Sequence, residues 1–197
     1  MYGLLPRFTL ACYSNRMPHI SMPVDLPGVL GPLAFSLNTA KPLLELAHQL
    51  LFIESTSLSR AERELIASYV SYLNGCVYCF EAHGATADVH SQTPGWARSV
   101  WKDTTFRNLN PKMQGLMIIA GKVQGAPREV SAYDIANART GGATEQDIHD
   151  AVLIASAFCM YNRYVDGLAA SHPPQGDPFY AERAKALAAK GYLGRVK

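Results

Sequence analysis

Long hydrophobic runs are absent from this sequence, since no apolar stretch reaches the roughly 18 residues that a membrane-spanning helix requires. Charge of one sign is also scarce, because 18 basic and 16 acidic residues leave a net charge of only +2. A nearly neutral chain lacks the excess positive charge that binds nucleic acid or an acidic membrane surface. We therefore expect neither nucleic acid nor a membrane as a partner.

Cysteine is sparse as well, with four residues in 197. Two of the four form one C-x-x-C pair, Cys76 and Cys79, so the chain does not have the cysteine density of a small secreted disulfide scaffold. This pattern is typical of a reducing compartment and a reactive dithiol. It predicts a cytoplasmic protein.

Alternation of apolar and polar residues at period two, the mark of half-buried strands, is missing, whereas helical spacing recurs along the chain. The fold class that we expect is all-α, a compact helical bundle. Pro42 is expected to start a new helix, and the centre of the longest helix, 151–158, is expected to be buried all round. The predicted helices span about 34–53, 60–73, 76 onward, 96–101, 111–124, 131–139, 144–170 and 178–191.

The N-terminal part of the chain differs in composition from the rest. Residues 18–40 carry four prolines and two glycines, which predicts an irregular, Pro-rich arm. Residues 1–16 resemble a weak signal sequence, but Pro6 and Arg7 interrupt the apolar run and no clear cleavage site follows. We expect 1–16 to be a mobile extension that includes an uninvolved Cys12, and 17–197 to form one helical domain, since 48% of the chain is apolar.

The densest chemistry lies around the C-x-x-C pair. Cys76, Cys79 and His83 stand at i, i+3 and i+7, so on one helix they share a face. Two thiols one turn apart can close a disulfide with little backbone movement. An imidazole one turn beyond Cys79 can take or return the proton of that thiol.

Glu64 joins this group only if the chain reverses between it and the cysteines. On one straight helix it would lie about 18 Å from Cys76, at 1.5 Å per residue. Asn74-Gly75 is a typical helix-ending pair, because Gly and Asn tolerate the left-handed conformation. A reversal there brings Glu64 level with His83, so the sequence predicts a carboxylate that orients a histidine serving Cys79.

The whole pattern, E-x11-C-x2-C-x3-H, resembles the signature of AhpD-like alkylhydroperoxidases within the carboxymuconolactone decarboxylase superfamily. The flanking residues 58–67 and 82–85 are similar to that family. The later stretches 148–155 and 161–164 resemble its peroxidase-related branch. The resemblance implies a fold of the AhpD-like helical type.

The resemblance also implies a reaction. In the family, the second cysteine attacks the peroxide and becomes a sulfenic acid, and the first closes the disulfide; here these are Cys79 and Cys76. Position at a helix N-terminus alone would instead favour Cys76 as the nucleophile. With Glu64 and His83 as proton relay, these four residues are the expected catalytic set. Tyr78 stands between the cysteines, where other family members carry a second histidine, so the relay has one member fewer.

The expected partners follow from the same resemblance. The substrate is a hydroperoxide, no cofactor is bound, and an external dithiol, with a lipoylated protein as the candidate, reduces the disulfide. Family members form trimers or hexamers, so a homo-oligomer is expected. The competing hypotheses are a thiol–disulfide exchange or redox-sensing protein, a decarboxylase-type lyase that does not use the dithiol, a zinc site built on the two cysteines and His83, and a buried structural thiol pair.

Three further features have simpler interpretations. Cys159 lies in an apolar run and is expected to be a small buried hydrophobe. His149, beside two aspartates near a helix start, is expected at the surface. The stretch 161–164 is expected to line a pocket or a subunit contact, without a catalytic role.

Overall fold

The structure is a computed structural model that describes residues 17–22, 26–54, 57–103 and 105–193. The predicted extension, 1–16, lies outside these residues. Over the described ranges the chain is helical and contains no strand, so the all-α fold class is confirmed. In chain order, the α-helices are α1 (Leu30–Phe35), α2 (Leu37–Leu51), α3 (Arg60–Leu73), α4 (Val77–Ser91), α5 (Trp96–Trp101), α6 (Pro111–Gly125), α7 (Ala132–Thr140), α8 (Glu145–Gly167) and α9 (Pro178–Lys190), with a 3₁₀ turn at Pro127–Glu129.

Helix starts follow their capping residues closely. Ser59 at the start of α3 accepts a hydrogen bond from the Glu62 backbone N–H, and the Glu62 side chain accepts one from the Ser59 backbone N–H. Thr144 and Asp147 form the same reciprocal pair at the start of α8. Each pair satisfies two backbone N–H groups that the first helical turn would leave free.

Two expectations about the N-terminal part of the bundle need correction. The irregular arm ends at Val29, since α1 already begins at Leu30. Pro42 does not start a helix but lies inside α2. Its ring leaves the carbonyl of Asn38 without an intrahelical donor, and Asn38 is exposed, so water can satisfy that carbonyl.

Helix α3 lies at the centre of the bundle. It is buried from Arg63 through Ser71, with Leu65, Ile66 and Val70 completely inaccessible to solvent. It packs against α4, α6 and α8. Because a helix at the centre cannot tilt or slide without disturbing its neighbours, α3 is a rigid support for any side chain that it carries.

The longest helix, α8, is less buried than its sequence indicated. Ala151, Ile154, Ala155 and Phe158 face the core, but Leu153 is 38% exposed and Ser156 is also exposed. The prediction that its centre is buried all round is therefore wrong. The exposed face of α8 carries polar residues such as His149 and Ser156 beside Leu153, whereas the opposite face packs on α3 and α6.

Candidate functional site

The turn between α3 and α4 sets the geometry of the site. Gly75 adopts the left-handed conformation at φ +74°. Its N–H donates to the Tyr72 carbonyl at 3.0 Å, and the Cys76 N–H donates to the Ser71 carbonyl at 3.1 Å. These two bonds are the Schellman pattern, which ends one helix and reverses the chain. The same Cys76 is the N-cap of α4, so the reversal predicted at Asn74-Gly75 is observed and the next helix begins at once.

The two cysteines occupy the first turn of α4 and are nearly inaccessible. Cys76 is 1% exposed and Cys79 is 3% exposed, and no disulfide joins them in the structure. The pKa of the Cys76 thiol is raised well above its ordinary value, first by its hydrogen bond to the Cys79 side chain and then by burial. Cys76 therefore keeps its proton at neutral pH, although it sits at the helix terminus that alone would favour a thiolate.

Glu64 and His83 meet across the two antiparallel helices. The Oε2 of Glu64 lies 2.7 Å from Nδ1 of His83, within the range of a strong hydrogen bond. The Glu64 side chain is 1% exposed and that of His83 is 13% exposed. The predicted juxtaposition of these two residues is thus observed. Because Nδ1 of His83 is bonded to the carboxylate, Nε2 is the nitrogen that is available for proton transfer.

Tyr192 is a third member of this group that the sequence did not indicate. Its hydroxyl donates to Oε1 of Glu64 at 2.5 Å and lies 3.4 Å from Nδ1 of His83. Its ring is close to parallel with the imidazole, at 15° and 6.1 Å between centroids. The pKa of Tyr192 is raised well above its usual value, first by burial and then by the Glu64 charge. Tyr192 therefore remains a hydrogen-bond donor throughout the physiological pH range.

The position of Tyr192 depends on the end of α9. Gly191 turns the chain at φ +63°, and a Cβ on it would lie 2.6 Å from the His48 ring. The Tyr192 backbone N–H then donates to Nδ1 of His48 at 3.2 Å. Close packing at Gly191 together with this bond directs the Tyr192 side chain inward to Glu64.

A cavity connects these groups to the N-terminal helices. It comprises about 630 Å³ of open space, including its mouth. Cys79 and His83 line it together, and its other walls are largely apolar side chains from α1, α2, α8 and α9. Among the described residues no direct hydrogen bond joins Cys79 to His83, so a ligand or a water molecule in this cavity would be the bridge between them. The cavity gives a small molecule access to a buried sulfur.

One charged residue also faces this cavity. Arg183 of α9 is 8% exposed, and its guanidinium lies 5.6 Å above the centre of the Tyr78 ring. Tyr161 of α8 is a second polar lining residue, and its hydroxyl donates to the Leu43 carbonyl at 2.6 Å. The expectation that the stretch 161–164 includes a pocket residue holds for Tyr161. Arg183 and Tyr192 carried no local signal of a site, because each lies more than a hundred residues from the cysteine motif.

The remaining candidates lie away from the cavity. Cys159 packs against the core but is only partly buried, and Nδ2 of Asn74 lies 3.7 Å from its sulfur, so it is less buried than the small hydrophobe that we expected. The side chain of His149 is 65% exposed and pairs with Asp150, in line with the surface position expected for it. Within the described ranges, no cluster of three or more His, Cys, Asp or Glu side chains has the arrangement of a metal site.

The sequence matches one known family. Residues 38–121 match the model of the carboxymuconolactone decarboxylase family. This match includes α3, α4 and all four predicted site residues. No curated protein sequence matches the chain significantly.

Solved structures resemble the chain over a longer range. A peroxidase-related protein from Ralstonia eutropha, described as an alkylhydroperoxidase AhpD core, is 26% identical over 79% of this chain and 80% of its own, with a TM-score of 0.70. An uncharacterized peroxidase-related protein from Silicibacter sp. TM1040 is 28% identical over 80% of each chain, also with a TM-score of 0.70. A protein of unknown function from Agrobacterium tumefaciens shares the fold, with 17% identity over 75% of this chain and 99% of its own, and a TM-score of 0.63.

Proposed function

Because the chain belongs to the superfamily of AhpD-like alkylhydroperoxidases and carboxymuconolactone decarboxylases, in its peroxidase-related branch, we propose that it is a thiol-dependent peroxidase. It reduces hydroperoxides through Cys79 and Cys76, with Glu64 and His83 as the proton relay. The observation that carries the proposal is the hydrogen bond between Glu64 and His83 beside a cavity that reaches Cys79.

The first half of the reaction uses Cys79 and His83. His83, oriented by Glu64, takes the Cys79 proton, and the thiolate attacks the terminal oxygen of the hydroperoxide. A sulfur–oxygen bond forms as the oxygen–oxygen bond breaks, and the leaving alkoxide receives the proton from His83 to give the alcohol. Cys79 is now a sulfenic acid, oxidised by two electrons.

The second half regenerates the dithiol. The Cys76 sulfur displaces the oxygen of the sulfenic acid, so that a sulfur–sulfur bond forms and water leaves with the Cys76 proton. An external dithiol then returns two electrons by exchange. Since both sulfurs are almost wholly buried, a slender dithiol such as a lipoyl arm suits this step better than a cysteine fixed on the surface of a folded protein.

The surroundings of the two cysteines support these roles. The raised pKa of the Cys76 thiol keeps it protonated at neutral pH, and a protonated thiol is a poor nucleophile. Cys79 shares the cavity with His83. Mild alkylation at pH 7 should therefore label Cys79 before Cys76, which peptide mass spectrometry would read out.

Peroxide consumption with a lipoyl or small dithiol reductant tests the function. Cys79→Ser should abolish turnover, and Cys76→Ser should allow a sulfenic acid to be trapped on Cys79. Cys159→Ser, which removes a thiol outside the cavity, is the matched control and should retain full activity.

Two results would count against this scheme. Trapping of sulfenic acid only in the Cys79→Ser variant would exchange the roles of the two cysteines. Absence of cysteine-dependent turnover with any hydroperoxide, alongside rapid exchange with small disulfides, would make the protein a thiol–disulfide exchange or redox-sensing protein instead.

A further inference from the structure

Arg183 is a buried charge for which the structure holds no counter-charge. It is 8% exposed, and its Nε and Nη1 atoms are buried without a hydrogen-bond acceptor. No carboxylate of the described residues lies within ion-pair distance of it. A guanidinium that is taken out of water without an acceptor costs free energy, so its place in the fold calls for a partner that the described residues do not supply.

The carboxylate of the relay is already committed elsewhere. Oε1 of Glu64 accepts from Tyr192 and Oε2 is bonded to His83, which leaves neither oxygen for a bidentate pair with Arg183. The face of the Tyr78 ring at 5.6 Å attracts a cation, but it accepts none of the directional hydrogen bonds that a guanidinium offers. The unmet donors of Arg183 therefore remain available to a ligand.

Arg183 lines the same cavity as Cys79 and His83. The surrounding walls include Leu33, Leu44 and Phe158, which are apolar and buried. A cavity with apolar walls and a few converging polar groups is typical of a small-molecule site, in which the polar groups fix the orientation of the ligand. Here the polar groups are the Arg183 cation, the reactive thiol with its relay, and Tyr161, whose hydroxyl already donates to the Leu43 carbonyl.

We propose that Arg183 binds the carboxylate of the substrate. On this proposal, which rests on the peroxidase function above, the preferred hydroperoxides carry a carboxylate on an apolar body. The planar fork of the guanidinium matches a carboxylate in two parallel hydrogen bonds. The apolar walls hold the body of the molecule, and the hydroperoxide group is directed to Cys79.

Equilibrium binding of octanoate tests the carboxylate site without any peroxide. By calorimetry, the wild-type protein should bind octanoate more tightly than octanol, which has the same chain length and no charge. Arg183→Met should lower octanoate affinity about 10- to 100-fold, the range for a lost charge-assisted pair, and leave octanol affinity nearly unchanged. Equal affinities for the two ligands in the wild type, or unchanged octanoate affinity in Arg183→Met, would overturn the proposal.

Two further variants test whether the loss of octanoate binding is specific to Arg183. Arg183→Lys keeps the charge without the fork and should bind octanoate with intermediate affinity, which also provides a result if Arg183→Met does not fold. Lys185→Met removes a positive charge from the exposed face of the same helix, where Lys185 pairs with Glu182. It should leave octanoate binding as in the wild type; a loss as large as that of Arg183→Met would mean that general charge, and not Arg183, attracts the ligand.

Turnover then tests the assignment to the substrate. A carboxylate-bearing derivative of cumene hydroperoxide and its methyl ester share the same peroxide and the same apolar body. The ratio of their kcat/KM values should favour the acid in the wild type and fall about 10- to 100-fold in Arg183→Met. An equal loss for acid and ester would mean that Arg183 serves the thiolate, and would overturn the substrate assignment.

The binding and turnover experiments can contradict the carboxylate site and the peroxidase function independently of each other. If the protein binds octanoate through Arg183 but consumes neither peroxide, the proposed peroxidase function is wrong and the carboxylate site stands. If it consumes acid and ester equally well and does not prefer octanoate to octanol, the peroxidase function stands and the carboxylate site is wrong.

Discussion

Glu64 is the residue on which the proton relay depends, because both of its oxygens are engaged. His83 holds one at 2.7 Å and Tyr192 holds the other at 2.5 Å. Since only 1% of this side chain is exposed, its oxygens need donors from the protein to replace the hydrogen bonds that water would make. Tyr192 thus acts on the imidazole through Glu64, as a positioning residue.

Replacing Tyr192 by Phe should expose this dependence. The variant leaves a buried carboxylate oxygen without its donor, which costs about 1–3 kcal/mol of unfolding free energy. A carboxylate that has lost one of its two donors also fixes the imidazole less firmly. Peroxidase activity should therefore fall, as measured by kcat/KM.

Tyr161→Phe is the matched control for this variant. It removes a tyrosine hydroxyl from the same cavity, but that hydroxyl donates to the Leu43 carbonyl and not to the relay. A comparable loss of stability with an unchanged kcat/KM is expected. The same loss of kcat/KM in both variants would show that the effect comes from the cavity in general, and would remove Tyr192 from the relay.

At the scale of elements, the α3–α4 hairpin is what converts a linear motif into a site. Its turn is held by backbone bonds and also by α8, since Asn74 donates to Asn162 at 2.8 Å and Asn162 donates to Ser71 at 3.0 Å. Gln124 of α6 in turn donates to Asn74 at 2.9 Å. The reversal is therefore supported from two neighbouring helices and can hold the cysteines against the relay.

Gly75→Ala tests the turn itself. Nothing lies within 4 Å of an added Cβ, so the only penalty is the left-handed backbone at φ +74°, worth about 1–2 kcal/mol for an L-residue. Gly125→Ala is the control: its Cβ also meets open space, but its backbone is helical. Thermal or urea unfolding should show a loss for Gly75→Ala and no loss, or a small gain, for Gly125→Ala. Equal losses of stability in the two variants would mean that a side chain does not strain the left-handed backbone of the turn.

At the scale of the whole molecule, the site is assembled from distant parts of the chain. Glu64 and Tyr192 are separated by 128 positions, and Tyr192 is held by His48 from α2. The named hydrogen bonds of the relay are all supplied by residues from His48 to Tyr192. No described helix is both long enough and apolar enough to cross a bilayer.

The division of the chain into an extension, 1–16, and one domain, 17–197, stays a prediction. A variant that begins at Met17 should have an unchanged melting temperature and unchanged peroxide turnover, because the relay draws its bonds from later residues. Deletion of 192–197, which removes Tyr192, provides the contrast and should impair turnover. A lower melting temperature or reduced activity of the shorter N-terminal variant would assign 1–16 to the folded domain.

Local rules account for much of what the sequence alone determined. The helices begin and end within a few residues of the predicted bounds, since cap residues such as Ser59, Thr144 and Gly191 satisfy or terminate backbone hydrogen bonds next to them in the chain. The spacing of Cys76, Cys79 and His83, with a turn at Gly75, predicted that Glu64 would meet His83. This inference succeeded because a short turn between two antiparallel helices fixes which residues of one helix lie beside which residues of the other.

Tertiary structure alone decided the rest. Nothing near Tyr192 or Arg183 in the sequence points to the cysteines, because packing between α9, α2 and α4 brings them together and such contacts have no local pattern. The exposure of Leu153 and Ser156 in α8 was decided in the same way, by which neighbours pack on that helix. Local hydrogen bonding is encoded within a few residues, whereas the chemistry of a buried cavity depends on which distant side chains the core leaves facing it.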